Sequence, residues 1–518
     1  MTVKLFDTTL RDGEQAEGIS FTLADKLRIT KLLDSFGIDY IEGGWPFSNQ
    51  KAIEYFKEAR KLNLSHAKLM AFGSTRRAKN KPSEDENLLA IVESKPDGAC
   101  IFGKTWDFHV KEALKISLEE NLELIEDSVA FLKANLQEVF FDAEHFFDGY
   151  KHNPEYAIQC LHAAVRGGAD VLVLCDTNGG ALTHQVVEII RAVKKEVNHP
   201  LGIHAHNDSD MAVANSVSAI YEGCGQVQGT INGYGERCGN ANLCSIIPAI
   251  VLKMKLKTSA DQYLQDLTSL SRHVSEIANL APNLHQPYVG HSAFSHKGGI
   301  HVSAILKNPQ TYEHLDPTLV GNKQRVVISD QSGLSNIKYK AKELGVDIDG
   351  NNEEMKDLLE DIKNMENAGY QFEEGEASFE LMLRRATKQY KPFFELMGFR
   401  IINDKGAGEQ YAIEATVKLT IDGQIIHTAG EGNGPVSALD HAFRKALKGK
   451  YPQILNMHLT DYKVRVLNSQ EGTDAKVRVI IETTDDKGTW GTVGVSANII
   501  EASWKALVDS VEYKLLKG

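Results

Sequence analysis

The segment Leu201-Gly-Ile-His-Ala-His-Asn-Asp208 runs as a short apolar strand and stops on a cluster of polar residues. The same figure recurs along the first ~250 residues, the length of a single eight-unit barrel. Candidate strands are Val3–Asp7, Ile38–Gly43, Ala67–Phe72, Gly98–Phe102, Glu138–Asp142, Val171–Cys175, Leu201–His204 and Gln226–Ile231. Amphipathic patterns such as Thr22–Phe36, Asn49–Leu62 and Leu118–Ala134 lie between them. In the last of these, Leu118, Leu122, Ile125, Val129 and Leu132 recur every three or four residues, which buries one helical face. Eight β-then-α units predict an α/β chain beginning with a (β/α)8 TIM barrel. An open doubly wound sheet is the alternative, because alternation alone does not show closure. The barrel is preferred because the unusual polar residues follow the strands, and in a barrel those ends converge on one face.

Working outward, the pattern divides the chain into a catalytic barrel over 1–270, helical connector subdomains over 271–376 and a C-terminal α+β regulatory domain over 377–518. The connector carries Gly and His clusters in Gly290–His301 and an acidic run in Glu353–Glu374. In the tail, Tyr411–Ile421 and Lys476–Thr484 alternate apolar and polar residues as half-exposed strands do. The tail also repeats itself. Ser437–Leu447 and Glu501–Leu507 are helical patterns that follow Gly-rich or Ser-rich turns, and Ala438 and Ala442 align with Ala502 and Ala506. Two strand-then-helix halves predict a pseudo-symmetric module.

Composition bounds the function. The 518 residues carry 57 Lys+Arg against 70 Asp+Glu, a net charge of −13. That balance argues against a general nucleic-acid or anionic-membrane binder, while leaving room for a local basic pocket. No apolar run approaches the ~18 residues of a membrane span, and Met1–Asp12 lacks the layout of a signal peptide. Six cysteines without a CxxC pair read as reduced packing thiols of a cytoplasmic protein.

His204 and His206 stand two apart at a strand end, so their imidazoles point to the same side and can converge on one ion. A hydrogen-bonded histidine pair is the plainer alternative. Asp12, just after the first strand, can reach the same point in a closed barrel, and Asn240 offers a neutral amide oxygen. One carboxylate and two imidazoles leave positions open for substrate oxygens, which suits Lewis-acid catalysis. Mg²⁺, Mn²⁺, Co²⁺ and Zn²⁺ all suit such a set. Arg11 places a permanent cation beside it, able to stabilise an oxygen that gains negative charge. Glu144 and Thr177 follow the fifth and sixth strands and can serve as a general base and as a hydroxyl donor to a carboxylate. The glycines of Gly229–Asn240 do not have GxGxxG spacing, which argues against a dinucleotide fold, and no GxSxG nucleophile elbow is present.

These residues carry a resemblance. FDTTLRDGEQ (Phe6–Gln15), HAHND (His204–Asp208), GTINGYGERCGNANL (Gly229–Leu243), SHKGGIHVSAILKNPQTYEHLDP (Ser295–Pro317) and EGNGPVSALDHAF (Glu431–Phe443) resemble segments of the 2-isopropylmalate/homocitrate/citramalate synthase family. That family comprises metal-dependent barrel enzymes that condense acetyl-CoA with a 2-oxo acid. The resemblance implies that Asp12, His204, His206 and Asn240 hold the metal and that Arg11 polarises the keto oxygen. It also implies that Glu144 and Thr177 contact the oxo acid, while His301 and Tyr312 reach a neighbouring subunit's active site in a homodimer. EGGWP (Glu42–Pro46), KTWDFHV (Lys104–Val110), AEHFFDGYK (Ala143–Lys151) and SGLSNI (Ser332–Ile337) are similar to the members that take pyruvate. The product of those members feeds isoleucine synthesis, so isoleucine is the expected inhibitor. A 2-isopropylmalate or homocitrate synthase remains the nearer alternative, and a metal-dependent aldolase or lyase on the same barrel the more distant one.

Overall fold

Eight short strands, each followed by a helix or loop that returns the chain to the same edge, close into a parallel barrel in the order β1 to β8. They are β1 (Lys4–Asp7), β2 (Tyr40–Gly44), β3 (Lys68–Ser74), β4 (Gly98–Lys104), β5 (Glu138–Glu144), β6 (Val171–Asp176), β7 (Leu201–Ala205) and β8 (Gln226–Gly229). Closure is made by β1 against β8, with Lys4 opposite Gln226 and Asp7 opposite Gly229. The open doubly wound alternative is thereby excluded. The computed structural model describes residues 2–329, 331–347, 352–405, 411–467 and 474–518.

The N-terminal end of the barrel is plugged by Phe6, Met70, Cys100 and Phe140, with Tyr40 packed against them. The helices outside start where their caps dictate. Thr22 accepts from the Asp25 amide and Asp25 accepts in return, closing a capping box on Leu23–Phe36. Such reciprocal capping satisfies two amides the helix would otherwise leave unpaired. β2 ends on a register shift between Glu42 and Gly44. A Cβ at Gly43 would sit 2.0 Å from the Tyr55 ring, and Gly44 has φ +141°. Only glycine tolerates both demands, and the irregularity sends the following Trp45 toward the mouth of the barrel.

The described residues fall into two compact units. The first is the chain up to Phe294 with Asp316–Lys323, and the second is Ser295–Leu315 with the chain from Gln324 onward. In the second unit, β9 (Glu395–Lys405), β10 (Tyr411–Ile421) and β11 (Gln424–Gly432) form one antiparallel sheet, followed by the helix Pro435–Leu447. β12 (His458–Val466), β13 (Val477–Thr484) and β14 (Thr489–Ser496) form another, followed by the helix Ile499–Lys517. The repeat has a packing reason. A Cβ on Gly430 would fall 2.5 Å from the Ala442 nitrogen, and one on Gly494 would fall 2.0 Å from the Ala502 carbonyl oxygen. In both halves a strand glycine meets helix alanines, so strand and helix backbones approach closely. The connector helices share a core with this sheet: Ile337, Leu358, Ile362 and Phe372 pack with Phe379, Ile480 and Val493. No helix among the described residues is long and apolar enough to cross a membrane.

Candidate active site

Because every barrel strand runs the same way, the side chains at their C-terminal ends face one cavity of about 470 Å³. Arg11 and Asp12 reach it from the turn after β1, Glu144 from the end of β5, Thr177 from just beyond β6, and His204 and His206 from β7 and the residue after it.

The metal-ligand candidates converge. Asp12 Oδ2 lies 3.4 Å from His204 Nε2 and 3.8 Å from His206 Nε2, and the two imidazole nitrogens are 3.3 Å apart. All three side chains are buried, and among the described residues they are the group whose ligand atoms meet closely enough to hold one ion. Asn240 is buried beside them, paired through its backbone with His206. Asp12 Oδ1 and both polar atoms of the Asn240 amide are enclosed without a hydrogen-bond partner. Buried polar atoms are rarely left so, and a carboxylate, two imidazoles and an amide suit a divalent cation with open positions.

The electrostatics agree. Burial would raise Asp12, but Arg11, His204 and His206 outweigh it and hold the carboxyl well below its usual range. Burial and neighbouring His204 push His206 down to about 3, leaving the neutral ring that ligates metals. Burial would lower Arg11, yet Glu42 and Asp12 keep it protonated. Arg11 is also held rigidly. Its Nε donates to Glu42 Oε2 at 2.6 Å, its Nη1 lies 3.4 Å from Asp12 Oδ2, and its plane lies 3.7 Å from the centre of the Phe72 ring. Three fixed contacts leave its remaining N–H groups a defined direction in the cavity. Burial pushes Glu42 up to about 7 against the pull of Arg11.

Thr177 Oγ1 accepts the His145 amide at 2.8 Å. His145 sits at φ +56°, an uncommon conformation for a residue with a side chain. The Thr177 proton is therefore free for another acceptor. Glu144 forms an ion pair with Lys104. Arg237 ties the loops after β6, β7 and β8 together, donating to Asp208 at 2.8 Å and to the Thr177 carbonyl at 2.7 Å. Trp45, Phe72 and Phe102 form an aromatic wall with ring centres 5.4–5.8 Å apart. His301 and Tyr312 lie in the second unit, where their rings stack with centres 4.2 Å apart.

Reading the residue pattern missed Glu42, Gln228 and the aromatic wall. For Glu42 and Gln228 the signal was a polar residue inside an apolar strand, as in Tyr40-Ile-Glu-Gly-Gly44 and Gln226-Val-Gln-Gly229.

Comparison with known proteins covers the whole chain. Residues 2–274 match the HMGL-like family, residues 288–369 the homocitrate synthase post-HMGL domain-like family, and residues 373–515 the LeuA allosteric (dimerisation) domain. The chain is 60% identical to an (R)-citramalate synthase of Geobacter sulfurreducens, over 100% of this chain and 98% of that one. Identity is 54% to the (R)-citramalate synthase of Aquifex aeolicus, over 99% and 98%, and 50% to that of Synechocystis, over 99% and 96%.

Proposed function

This chain belongs to the HMGL-like family, and we infer that it acts as its full-length relatives are named, condensing acetyl-CoA with pyruvate to give citramalate and CoA. The observation that carries this reading is the identity of 60% along the entire chain, joined to a buried Asp12–His204–His206 cluster in the barrel mouth. It is an acyltransferase reaction in which the acetyl group becomes an alkyl group.

In the mechanism we propose, Asp12, His204, His206 and Asn240 would hold a divalent ion, and Mg²⁺, Mn²⁺, Co²⁺ and Zn²⁺ all suit that donor set. When bound, the ion supplies Lewis-acid polarisation of the keto group. Thr177 donates its free hydroxyl proton to the pyruvate carboxylate. Arg11 donates to the keto oxygen and stabilises the alkoxide as charge develops there. Proton removal from the acetyl methyl falls to Glu144, or to His301, which with Tyr312 would act from the neighbouring subunit of a homodimer. The carbanion equivalent attacks the keto carbon, and water then cleaves the thioester, releasing CoA and making the condensation irreversible. The aromatic wall of Trp45, Phe72 and Phe102 suits a methyl substituent, and each added methylene alters such a fit by about 1–3 kcal/mol.

We further propose the division into a barrel over 1–270, a connector over 271–376 and a regulatory domain over 377–518. Isoleucine is the proposed inhibitor, bound by the regulatory domain, and the cytoplasm the proposed compartment. The free cysteines, five of them buried, support the last point.

The test is acetyl-CoA-dependent thiol release with pyruvate, 2-oxobutanoate, 2-oxoisovalerate and 2-oxoglutarate in parallel. Pyruvate should give the highest kcat/KM. A preference for 2-oxoisovalerate or 2-oxoglutarate would overturn the substrate assignment while leaving the reaction class intact.

A further inference from the structure

Beside the Asp12–His204–His206 cluster, inside the barrel, lies a chain of polar groups to which the mechanism above gives no part, and of which Asp142 borders the cavity. Asp142 on β5, Gln228 on β8 and Cys100 on β4 are all buried. Cys100 Sγ lies 3.0 Å from Asp142 Oδ1, and Gln228 Nε2 lies 3.1 Å from the same oxygen. Burial and the neighbouring carboxylates hold the Cys100 thiol protonated, so it donates, and Asp142 Oδ1 accepts from both groups. The orientation of the Gln228 amide follows. Turned the other way, its carbonyl would face a carboxylate oxygen, two acceptors in contact. With its nitrogen on Asp142, its Oε1 lies 2.9 Å from His204 Nδ1. A carbonyl oxygen can only accept, so His204 Nδ1 carries the proton. In the neutral ring, the form that ligates a metal, His204 Nε2 is then the lone-pair nitrogen, and it is the atom 3.4 Å from Asp12 Oδ2 and 3.3 Å from His206 Nε2.

We propose that Asp142 and Gln228 are positioning residues: the Asp142–Gln228–His204 relay fixes His204 in the Nδ1–H tautomer and so makes its Nε2 a ligand. The inference rests on reading Asp12, His204 and His206 as a divalent-ion site. It goes beyond that reading by naming which groups across the barrel decide that the site binds. Outer partners of this kind change metal affinity by about 10–100-fold.

The experiment uses the full-length chain stripped of metal and titrated with Mn²⁺ alone, free ion being measured by electron paramagnetic resonance. Gln228→Met, which fills similar space without either hydrogen bond, should weaken Mn²⁺ binding about 10–100-fold. Gln228→Glu should stay within about threefold of the parent, because a protonated carboxyl beside Asp142 restores both the donor and the acceptor. Asp142→Asn unlocks the amide flip and should weaken binding as Gln228→Met does. The double variant Asp142→Asn/Gln228→Met should be no worse than either single change, since both cut the same relay. Binding within about twofold of the parent in Gln228→Met would overturn the relay. So would equal losses in Gln228→Met and Gln228→Glu, which would show packing rather than hydrogen bonding at work. If Gln228→Met does not fold, Asp142→Asn with binding within about twofold of the parent is equally fatal. The variant Asp12→Asn separates the two readings. If it binds Mn²⁺ as the parent does, the ion site itself is refuted; if it loses binding while both relay variants keep it, only the relay fails.

Discussion

Replacing Thr177 with valine removes one hydroxyl and almost no volume, so its effect on substrate is confined to one hydrogen bond of the proposed site. Thr177 Oγ1 already accepts the His145 amide at 2.8 Å, and the residue lines the cavity, so its proton is available to the pyruvate carboxylate. A hydrogen bond to a charged group contributes about 1.5–3 kcal/mol. At about 1.4 kcal/mol per tenfold, its loss lowers kcat/KM for pyruvate by roughly 10- to 150-fold. The carboxylate does not change through the reaction, so the interaction is uniform and its loss should appear in KM with kcat nearly unchanged. Thr177→Ser keeps the hydroxyl and should stay within about threefold. Valine also strands the His145 N–H, which costs about 1–3 kcal/mol of stability and should lower the thermal midpoint by a few degrees. Thiol release at varied pyruvate and saturating acetyl-CoA measures the first effect, and calorimetry the second. A KM for pyruvate within about twofold of the parent would refute the carboxylate assignment, and a loss confined to kcat would place Thr177 in the chemical step instead.

Four further outcomes are expected. Asp12→Asn and His204→Ala should lose more Mn²⁺ affinity than the about 10–100-fold typical of outer-shell changes, with chelator-stripped parent regaining thiol release on adding the ion. Trp45→Ala opens the aromatic wall and should raise kcat/KM for 2-oxobutanoate relative to pyruvate by about 10–200-fold, measured by competition between the two acids. Asp34 accepts hydrogen bonds from Ser65 N, Ser65 Oγ, His66 N and Ala67 N at 2.7–3.0 Å. Burial would raise its pKa, but these bonds together lower it. Asp34→Asn should therefore cost about 1–3 kcal/mol in urea unfolding at neutral pH, a difference present above the unfolded carboxylate range near ~3.9 and lost as pH falls through the lower folded value. Isoleucine at a hundredfold over its Kd should stabilise the fold by about 2.7 kcal/mol, seen as a raised thermal midpoint that leucine at equal concentration does not reproduce.

The regulatory arm needs point substitutions rather than truncation. The helix Glu376–Ala386 begins where the tail was expected to start, and its Phe379 and Leu383 share a core with connector residues Ile337 and Ile362. Removing the chain from Ala377 would strip that core as well as the sheet. The alternation of Tyr411–Ile421 predicts β10 to the residue, because half-exposed strands write their two faces into alternate positions. How far the connector leans on the tail is written nowhere locally, since Ile337 and Ile480 are far apart in the chain.

What the sequence by itself determined is everything carried by neighbours along the chain. Alternating apolar runs and amphipathic helices specify eight β-then-α units. His204 and His206 declare themselves because residues two apart on a strand face the same way. The offset between Ala438 and Ala502 exposes the tail's repeat, whose reason, Gly430 and Gly494 meeting those alanines, appears only on packing. Tertiary structure decided the rest. Barrel closure put β1 beside β8, and the inward face of each strand chose the partners that meet across the interior. Glu42 meets Arg11 and Gln228 meets His204 from neighbouring strands, and Asp142 reaches Gln228 from β5, across the barrel from β8. No local periodicity encodes such a meeting; it exists because a closed barrel brings the inward residues of every strand within hydrogen-bonding reach of one another, away from water.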